Sequence, residues 1–334
     1  MTLRLTHLLE SGGGVLPESG EIVVFGPVTV TDLAPLPRER LRLICREKPQ
    51  FDRLKAAGFD VLETPPDHAA LSIVFLPRAK KQARAVIARA MEKSDAVIID
   101  GQKTDGIDSV LREMRKRTTC SQPYSKAHGK IFTAQPANGV FEDWTEGGAP
   151  KQIVDGFTTV AGVFSADGID PASRLLAAAL PDRLKGRVAD FGAGWGYLSA
   201  EILKHPGIDT LDLVEADNAA LDCARINITD PRAHFHWADA TSWKSEKPLD
   251  AVIMNPPFHE GRKGVPELGR DFIRNAARNL SPSGRLYMVA NRHLPYEAAL
   301  RESFREVEEL PSDNRFKLFA ASRPSRVAQP RPNR

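Results

Sequence analysis

The sequence predicts an α/β protein built from two consecutive doubly wound domains. Short apolar runs of strand length alternate with stretches of helical periodicity through both halves of the chain. Its 334 residues exceed one ordinary core, and about 150 residues per domain gives two. A stretch rich in Pro and Gly, from Pro136 to Pro150, separates the two alternating series.

In the first half Glu21–Gly26, Leu71–Leu76 and Asp95–Asp100 read as parallel strands buried on both faces, with Leu41–Cys45 as a further strand. Ala79–Lys93 and Ile107–Lys116 read as helices. Asp155-Gly156 between Ile153-Val154 and Phe157–Val160 is a two-residue hairpin signal. Asp170 is placed to cap a helix over 171–179. Strands follow at Val188–Phe191, Thr210–Glu215, His234–Trp237, Ala251–Met254, Arg285–Ala290 and Phe316–Ala320, with helices at Tyr197–His205, Ala219–Asn227, Leu268–Leu280 and Tyr296–Phe304. The expected boundaries are a first domain over 1–145, a second over 151–322 and a flexible tail over 323–334.

The bulk composition, 42% hydrophobic and 27% charged, is that of a soluble globular chain. No apolar stretch reaches the ~20 residues of a membrane span, and the N-terminus lacks the basic and apolar regions of a signal peptide. Cys45, Cys120 and Cys223 are far apart and odd in number, with no Cys-x-x-Cys, which argues against a disulfide framework and a zinc site. A cytoplasmic protein without a metal is expected. The net charge of +3 is spread evenly, with 21 Lys and Arg against 19 Asp and Glu in residues 1–150, so bulk charge does not announce a nucleic-acid binder. Past Asp313 there is no acid, while Arg315, Lys317, Arg323, Arg326, Arg331 and Arg334 accumulate beside Pro324, Pro330 and Pro332, the pattern of a solvated tail that can meet phosphates.

Four turns carry chemistry. Asp190-Phe-Gly192-Ala-Gly194-Trp-Gly196 closes a strand and opens a helix. It is a Gly-x-Gly-x-Gly loop preceded by an acid, unlike the Gly-x-Gly-x-x-Gly of dinucleotide binders, and suits an amino-bearing ligand. Trp195 reads as a cover over that ligand. Glu215, 19 residues past Gly196, ends the next strand, where a carboxylate accepts both hydroxyls of a ribose. Asp239 follows the third strand beside Ala240, in reach of an adenine amino group. After the fourth strand, Asn255-Pro256-Pro257-Phe258 forms a stiff turn. Its prolines fix φ and carry no N–H, its carbonyls stay free to accept, and Phe258 adds a flat apolar face. Ligands of open α/β sheets bind along that edge.

With these residues in place, 160–320 resembles the class I S-adenosylmethionine-dependent methyltransferases of the Asn-Pro-Pro-[Phe/Tyr] amino-group type. Gly162-Val-Phe-Ser-Ala-Asp-Gly-Ile-Asp170, Asn255-Pro-Pro-Phe-His-Glu-Gly261, Val289-Ala-Asn-Arg-His-Leu-Pro-Tyr296 and Arg315-Phe-Lys-Leu318 further resemble the ribosomal RNA guanine-N2 methyltransferases. The resemblance implies tandem Rossmann-like domains, the first degenerate, and S-adenosylmethionine bound by Asp190, Gly192, Gly194, Gly196, Glu215, Asp239 and Ala240. It implies Asn255, Pro256 and Phe258 as catalytic residues, with Pro257, His259 and Asn291 at the substrate. Its partner is ribosomal RNA or a ribosomal subunit, met as a monomer. Two other readings remain open on the residues alone. One is an adenine-N6 or protein-glutamine methyltransferase sharing the Asn-Pro-Pro turn, and the other a non-catalytic ribosome-assembly protein that binds RNA.

In the first half the strand Ile22–Phe25 ends in a single glycine, Gly26, Arg46 is read at the place of Glu215, and Leu76-Pro77-Arg78 at the place of the Asn-Pro-Pro turn. Arg78, Lys80, Lys81 and Arg84 read as a solvated helix face or, alternatively, an RNA-backbone patch.

Overall fold

The computed structural model describes residues 3–257, 259–260, 263–264 and 266–325. The chain divides into two compact units, residues 1–151 with 160–162, and residues 152–159 with 163 onward. Among the described residues no helix is long and apolar enough to cross a membrane.

The first unit is built on strands β1 (Ile22–Phe25), β2 (Leu41–Ile44), β3 (Val61–Leu62), β4 (Leu71–Phe75), β5 (Val97–Gln102), β6 (Tyr124–Lys126) and β7 (Gly129–Ala134). They lie in the order β3-β2-β1-β4-β5-β7-β6. The second unit repeats this order with β8 (Lys185–Phe191), β9 (Gly207–Glu215), β10 (Ala233–Trp237), β11 (Leu249–Met254), β12 (Leu280–Asn291), β13 (Phe304–Leu310) and β14 (Phe316–Pro324), arranged β10-β9-β8-β11-β12-β14-β13. In each sheet the first five strands are parallel, and the sixth pairs antiparallel with its neighbour on either side. Two tandem Rossmann-like sheets are therefore present.

The apolar strand runs explain themselves in the second unit. Ala189, Phe191, Val252 and Met254 enter one core and Val188, Ala251 and Ile253 the other, so alternate residues of one strand serve opposite faces. Each fully buried large apolar side chain contributes roughly 1.5–3 kcal/mol. Helices α1 (Lys80–Lys93) and α2 (Ile107–Met114) belong to the first unit. The second contains α3 (Pro171–Ala178), α4 (Tyr197–Leu203), α5 (Asn218–Asn227) and α6 (Pro266–Asn279). Asp155 and Gly156 both adopt left-handed φ, 73° and 80°. Ile153 N–H, however, donates to the Phe157 carbonyl at 2.8 Å and the Ile153 carbonyl accepts from Gly156 N–H at 3.2 Å, so the chain reverses through a three-residue loop, 154–156, and not the two-residue turn expected of Asp-Gly.

Several readings change. Strands β3, β6 and β7 are not among those expected from sequence, and the stretch Pro136–Pro150 expected to separate the domains contains a helix, Glu142–Gly148, whose Trp144 is buried in the first unit's core. Strand β13 has no counterpart in the sequence reading because Phe304-Arg-Glu-Val-Glu-Glu-Leu310 carries the charges of a sheet edge, where side chains meet water on both sides. Strand β14 runs on through Arg323 and Pro324, assigned to the tail from sequence; residues 326–334 lie outside the described residues. Of the run Arg78, Lys80, Lys81 and Arg84, two cations share one acid, as on a solvated helix face. Glu113 on α2 takes Lys80 at 3.2 Å and Arg84 at 2.6 Å, and the Arg84 guanidinium lies 5.4 Å from the Trp144 ring.

Strand register also moves two correspondences, each by one residue. Phe25 pairs with Ile44 and Val74, whereas Phe191 pairs with Val214 and Met254. With Phe25-Gly26 matched to Phe191-Gly192, Cys45 and not Arg46 stands at the place of Glu215, and Phe75 at that of Asn255.

Candidate active site

Because Phe191 is level with Val214 on one side and Met254 on the other, the next residues, Gly192, Glu215 and Asn255, leave three adjacent strands side by side. Val289 on β12 is level with Asn255, one residue beyond the Met254–Met288 pair, so Asn291 closes the same edge two residues further on.

The glycine loop is fastened along its length. Gly192 and Ala193 N–H both donate to the Val214 carbonyl, at 2.8 and 3.2 Å. Gly194 N–H donates to Glu215 Oε2 at 2.7 Å, and Asp217 N–H to Oε1 at 2.8 Å. Gly196 N–H donates to the Ala193 carbonyl at 3.0 Å, and Gly196 enters α4 with φ of 95°. A Cβ added at Gly194 would meet nothing within 4 Å, so open space adjoins the loop there. Glu215 thus ties the loop to the following turn while each oxygen keeps a lone pair for a ligand. Burial pushes its carboxyl up to about 6; the Asp217 and Gly194 N–H groups oppose that rise and the Asp217 charge adds to it.

Asp190 lies beneath this loop, fully buried. Its Oδ2 accepts from the Ser199 hydroxyl at 2.7 Å, and its Oδ1 finds no partner among the described residues. Burial pushes its carboxyl up to about 7, with the Ser199 hydroxyl working against the shift and the Glu215 charge adding to it. A buried acceptor with an empty lone pair is costly unless a ligand meets it.

Trp195 does not cover the loop. It is 4% exposed and packs in an aromatic cluster, 5.2 Å from Phe157 and 6.2 Å from Tyr197. Its indole N–H donates to the Phe164 carbonyl at 2.9 Å, and its own carbonyl accepts from Asn227 at 2.8 Å. The large apolar ring finds more burial behind the loop than above it.

Asp239 begins a tight turn in which its Oδ1 accepts from Thr241 N–H at 2.8 Å and from the Thr241 hydroxyl at 2.7 Å. Ala240 is buried in the core and its carbonyl accepts from Asn275 at 2.8 Å, which leaves its N–H as the group it can offer a ligand.

Asn255 is held from behind. Its amide nitrogen donates to Asp170 Oδ2 at 2.9 Å and to Ser173 Oγ at 2.8 Å, leaving its carbonyl oxygen unengaged by either. Pro256 is buried and Pro257 exposed. Phe258 lies outside the described residues, as does the His259 side chain, although the His259 backbone pairs with Gly264. Sequence reasoning gave Asp170 only a capping role and passed over Ser173 and Asn227. The segment 162–170 contains Asp170, whereas Ser173 and Asn227 lie in no motif. Among the described residues no group of three or more His, Cys, Asp or Glu side chains is placed to hold a metal ion.

Comparison with known proteins gives this geometry its class. A family model described as a methyltransferase small domain matches residues 156–320, the span that contains the whole edge just described. The second unit is a methyltransferase domain of that kind, and S-adenosylmethionine is its cofactor. Ribosomal RNA small subunit methyltransferase C of Psychromonas ingrahamii is 30% identical over 264 residues, covering 75% of this chain and 75% of that protein. The Shewanella pealeana protein of the same name is 29% identical over 261 residues, covering 74% and 76%. A T. thermophilus 16S rRNA N2 methyltransferase, solved in complex with AdoMet and guanosine, superposes with a TM-score of 0.78. It is 22% identical and covers 93% of this chain and 90% of its own, which shows the shared fold. The chain belongs to the ribosomal RNA small subunit methyltransferase C family.

Proposed function

We propose that the protein transfers a methyl group to the exocyclic N2 amine of a guanine in small-subunit ribosomal RNA, at the strand edge bearing Gly192, Glu215 and Asn255. The observation that carries the residue roles is the Asn255 amide. With its nitrogen engaged behind, its carbonyl oxygen is left for a substrate that donates. Such a turn can accept from the N–H groups of guanine, adenine or a glutamine amide alike; the relatives' action on small-subunit ribosomal RNA and the guanosine bound in the T. thermophilus enzyme favour guanine.

The residues fit S-adenosylmethionine. Asp190 offers an empty buried acceptor for an amino group, the glycines leave room for a ligand chain, Glu215 keeps lone pairs for ribose hydroxyls, and Asp239 with the Ala240 N–H fits an adenine edge. When bound, this cofactor supplies a methyl made electrophilic by a positive sulfonium. The amine of guanine is a weak nucleophile because its lone pair is shared with the ring. Asn255 Oδ1 and the Pro256 carbonyl accept hydrogen bonds from its two N–H groups and hold the nitrogen in an attack geometry, which contributes several kcal/mol. To Phe258 we assign stacking on a base drawn out of its own stack, and to Pro257, His259 and Asn291 contact with the substrate. As the N–C bond forms and the C–S bond breaks, the surplus proton passes to water, and no strong base is needed.

In this reading the second unit is catalytic, the first supports the RNA or braces the enzyme without binding cofactor, and the basic residues beyond β14, Arg326, Arg331 and Arg334, meet phosphates. The protein works as a monomer in the cytoplasm. Incubation with labelled S-adenosylmethionine and small ribosomal subunits from a strain lacking the enzyme tests the proposal. N2-methylguanosine is the expected product, and labelled N6-methyladenosine would overturn it.

A further inference from the structure

The bonds behind Asn255 do more than anchor it. Asp170 is the N-cap of α3, where its Oδ2 accepts from Ser173 N–H at 2.8 Å, and that same oxygen accepts from the Asn255 amide nitrogen. Ser173 Oγ, one turn into the helix, takes the second amide hydrogen. Helix α3 is itself fixed, because Ala172 and Leu176 are buried in the core of the unit. Two acceptors on a rigid helix start thus face one side of the Asn255 amide.

We propose that Asp170 and Ser173 are positioning residues that select one of the two orientations of the Asn255 amide, the one with its carbonyl oxygen toward the substrate amine. The proposal rests on the catalytic role of Asn255 given above. An asparagine amide turns about a soft, roughly two-fold torsion, so nothing within the residue itself decides which end faces forward. A carboxylate has no proton to give. An amide turned the other way would set its oxygen against the Asp170 carboxylate and present two N–H donors to an amine that also donates, a pairing that cannot form. Asp170 therefore excludes the unproductive orientation, and the Ser173 hydroxyl fills the second donor of the productive one.

The test uses the full-length enzyme, labelled S-adenosylmethionine and undermethylated small subunits. Asp170→Asn keeps an oxygen that can cap α3 but can also present an N–H to Asn255, so both amide orientations become available. It should lower kcat about tenfold, Ser173→Ala about threefold, and Ser173→Thr, which retains a hydroxyl, should recover most of that loss. The KM for S-adenosylmethionine should stay within about twofold throughout. In an Asn255→Ala background the same changes should cost less than about twofold, because the residue they act through is gone. Equal losses in both backgrounds would overturn the proposal, as would undiminished kcat in Asp170→Asn and Ser173→Ala while Asn255→Ala is impaired. A fully active Asn255→Ala enzyme would instead overturn the role of Asn255 itself, and the positioning role with it.

Discussion

The two sheets of this chain share a strand order and differ where the strands end. In the second unit Gly192 leaves β8 with room around it. A Cβ there would lie 3.6 Å from Phe272 and 4.0 Å from the Asn255 carbonyl. In the first unit Gly26 leaves β1 pressed against Phe75, where an added Cβ would collide with the Phe75 carbonyl. Level with Glu215 stands Cys45, 5% exposed, its thiol pushed up to about 11 by burial and so neutral, with no carboxylate oxygens for a diol. Level with Asn255 stands Phe75. The strand cores that fold each sheet are kept, while the few residues just past them decide whether a cavity with acceptors exists. Fold and site are separable here at single positions.

The sharpest way to break the comparison is at Asn255. Asn255→Ala should cut turnover ~100-fold or more while cofactor affinity holds, since its bonds matter once the amine is aligned. Single-turnover methylation of small subunits, paired with calorimetric titration of the cofactor, checks both halves of that statement. Glu215→Ala removes the tie to Gly194 and Asp217 as well as the ligand's acceptors, and should cost on the order of 1–3 kcal/mol of cofactor affinity. Titration of wild type should show one site per chain, unchanged in Cys45→Ala. A second site, or an effect of Cys45→Ala, would mean that the first unit also binds.

Asp190 gives a pH signature that the first unit lacks at its glycine turn. Its folded value near 7 is raised above the usual carboxylate range, so its contribution to stability is fully present below about pH 4 and is lost as pH rises toward 7. In the ligand-free protein Asp190→Asn should therefore raise the melting midpoint by a few degrees above pH 7 and hardly at all at pH 4. A pH-independent difference between the two proteins would refute that assignment. Least is expected at Lys80. It is 58% exposed and paired with Glu113, so Lys80→Ala should change stability by ~0–1 kcal/mol. The salt dependence of RNA binding should also stay put. A flatter salt slope would restore that helix as an RNA contact.

What could be read from the sequence was local. The Gly-x-Gly-x-Gly loop, Glu215 and the Asn-Pro-Pro turn each announce themselves within a few residues of an apolar strand, and parallel pairing brings them level. What could not be read depends on distant partners. Asn255 and Asp170 are 85 residues apart, and no local pattern joins a helix cap to a catalytic amide. Trp195 is turned by Phe164 and Asn227, 31 and 32 residues away. Glu113 pairs with cations 29 and 33 positions earlier, a partner that the basic run itself does not announce. Arg46 was misplaced by one residue because register is a property of two strands and not of one.

The fastening of the glycine loop has a kinetic consequence. Val214, Glu215, Phe164 and Asn227 hold the backbone or side chains of Gly192 through Trp195. A cradle already in its bound shape forfeits little freedom when the ligand arrives. Cofactor capture should then be a single encounter, its observed rate rising in proportion to concentration with no plateau in stopped-flow traces, because no slow rearrangement stands between collision and seating.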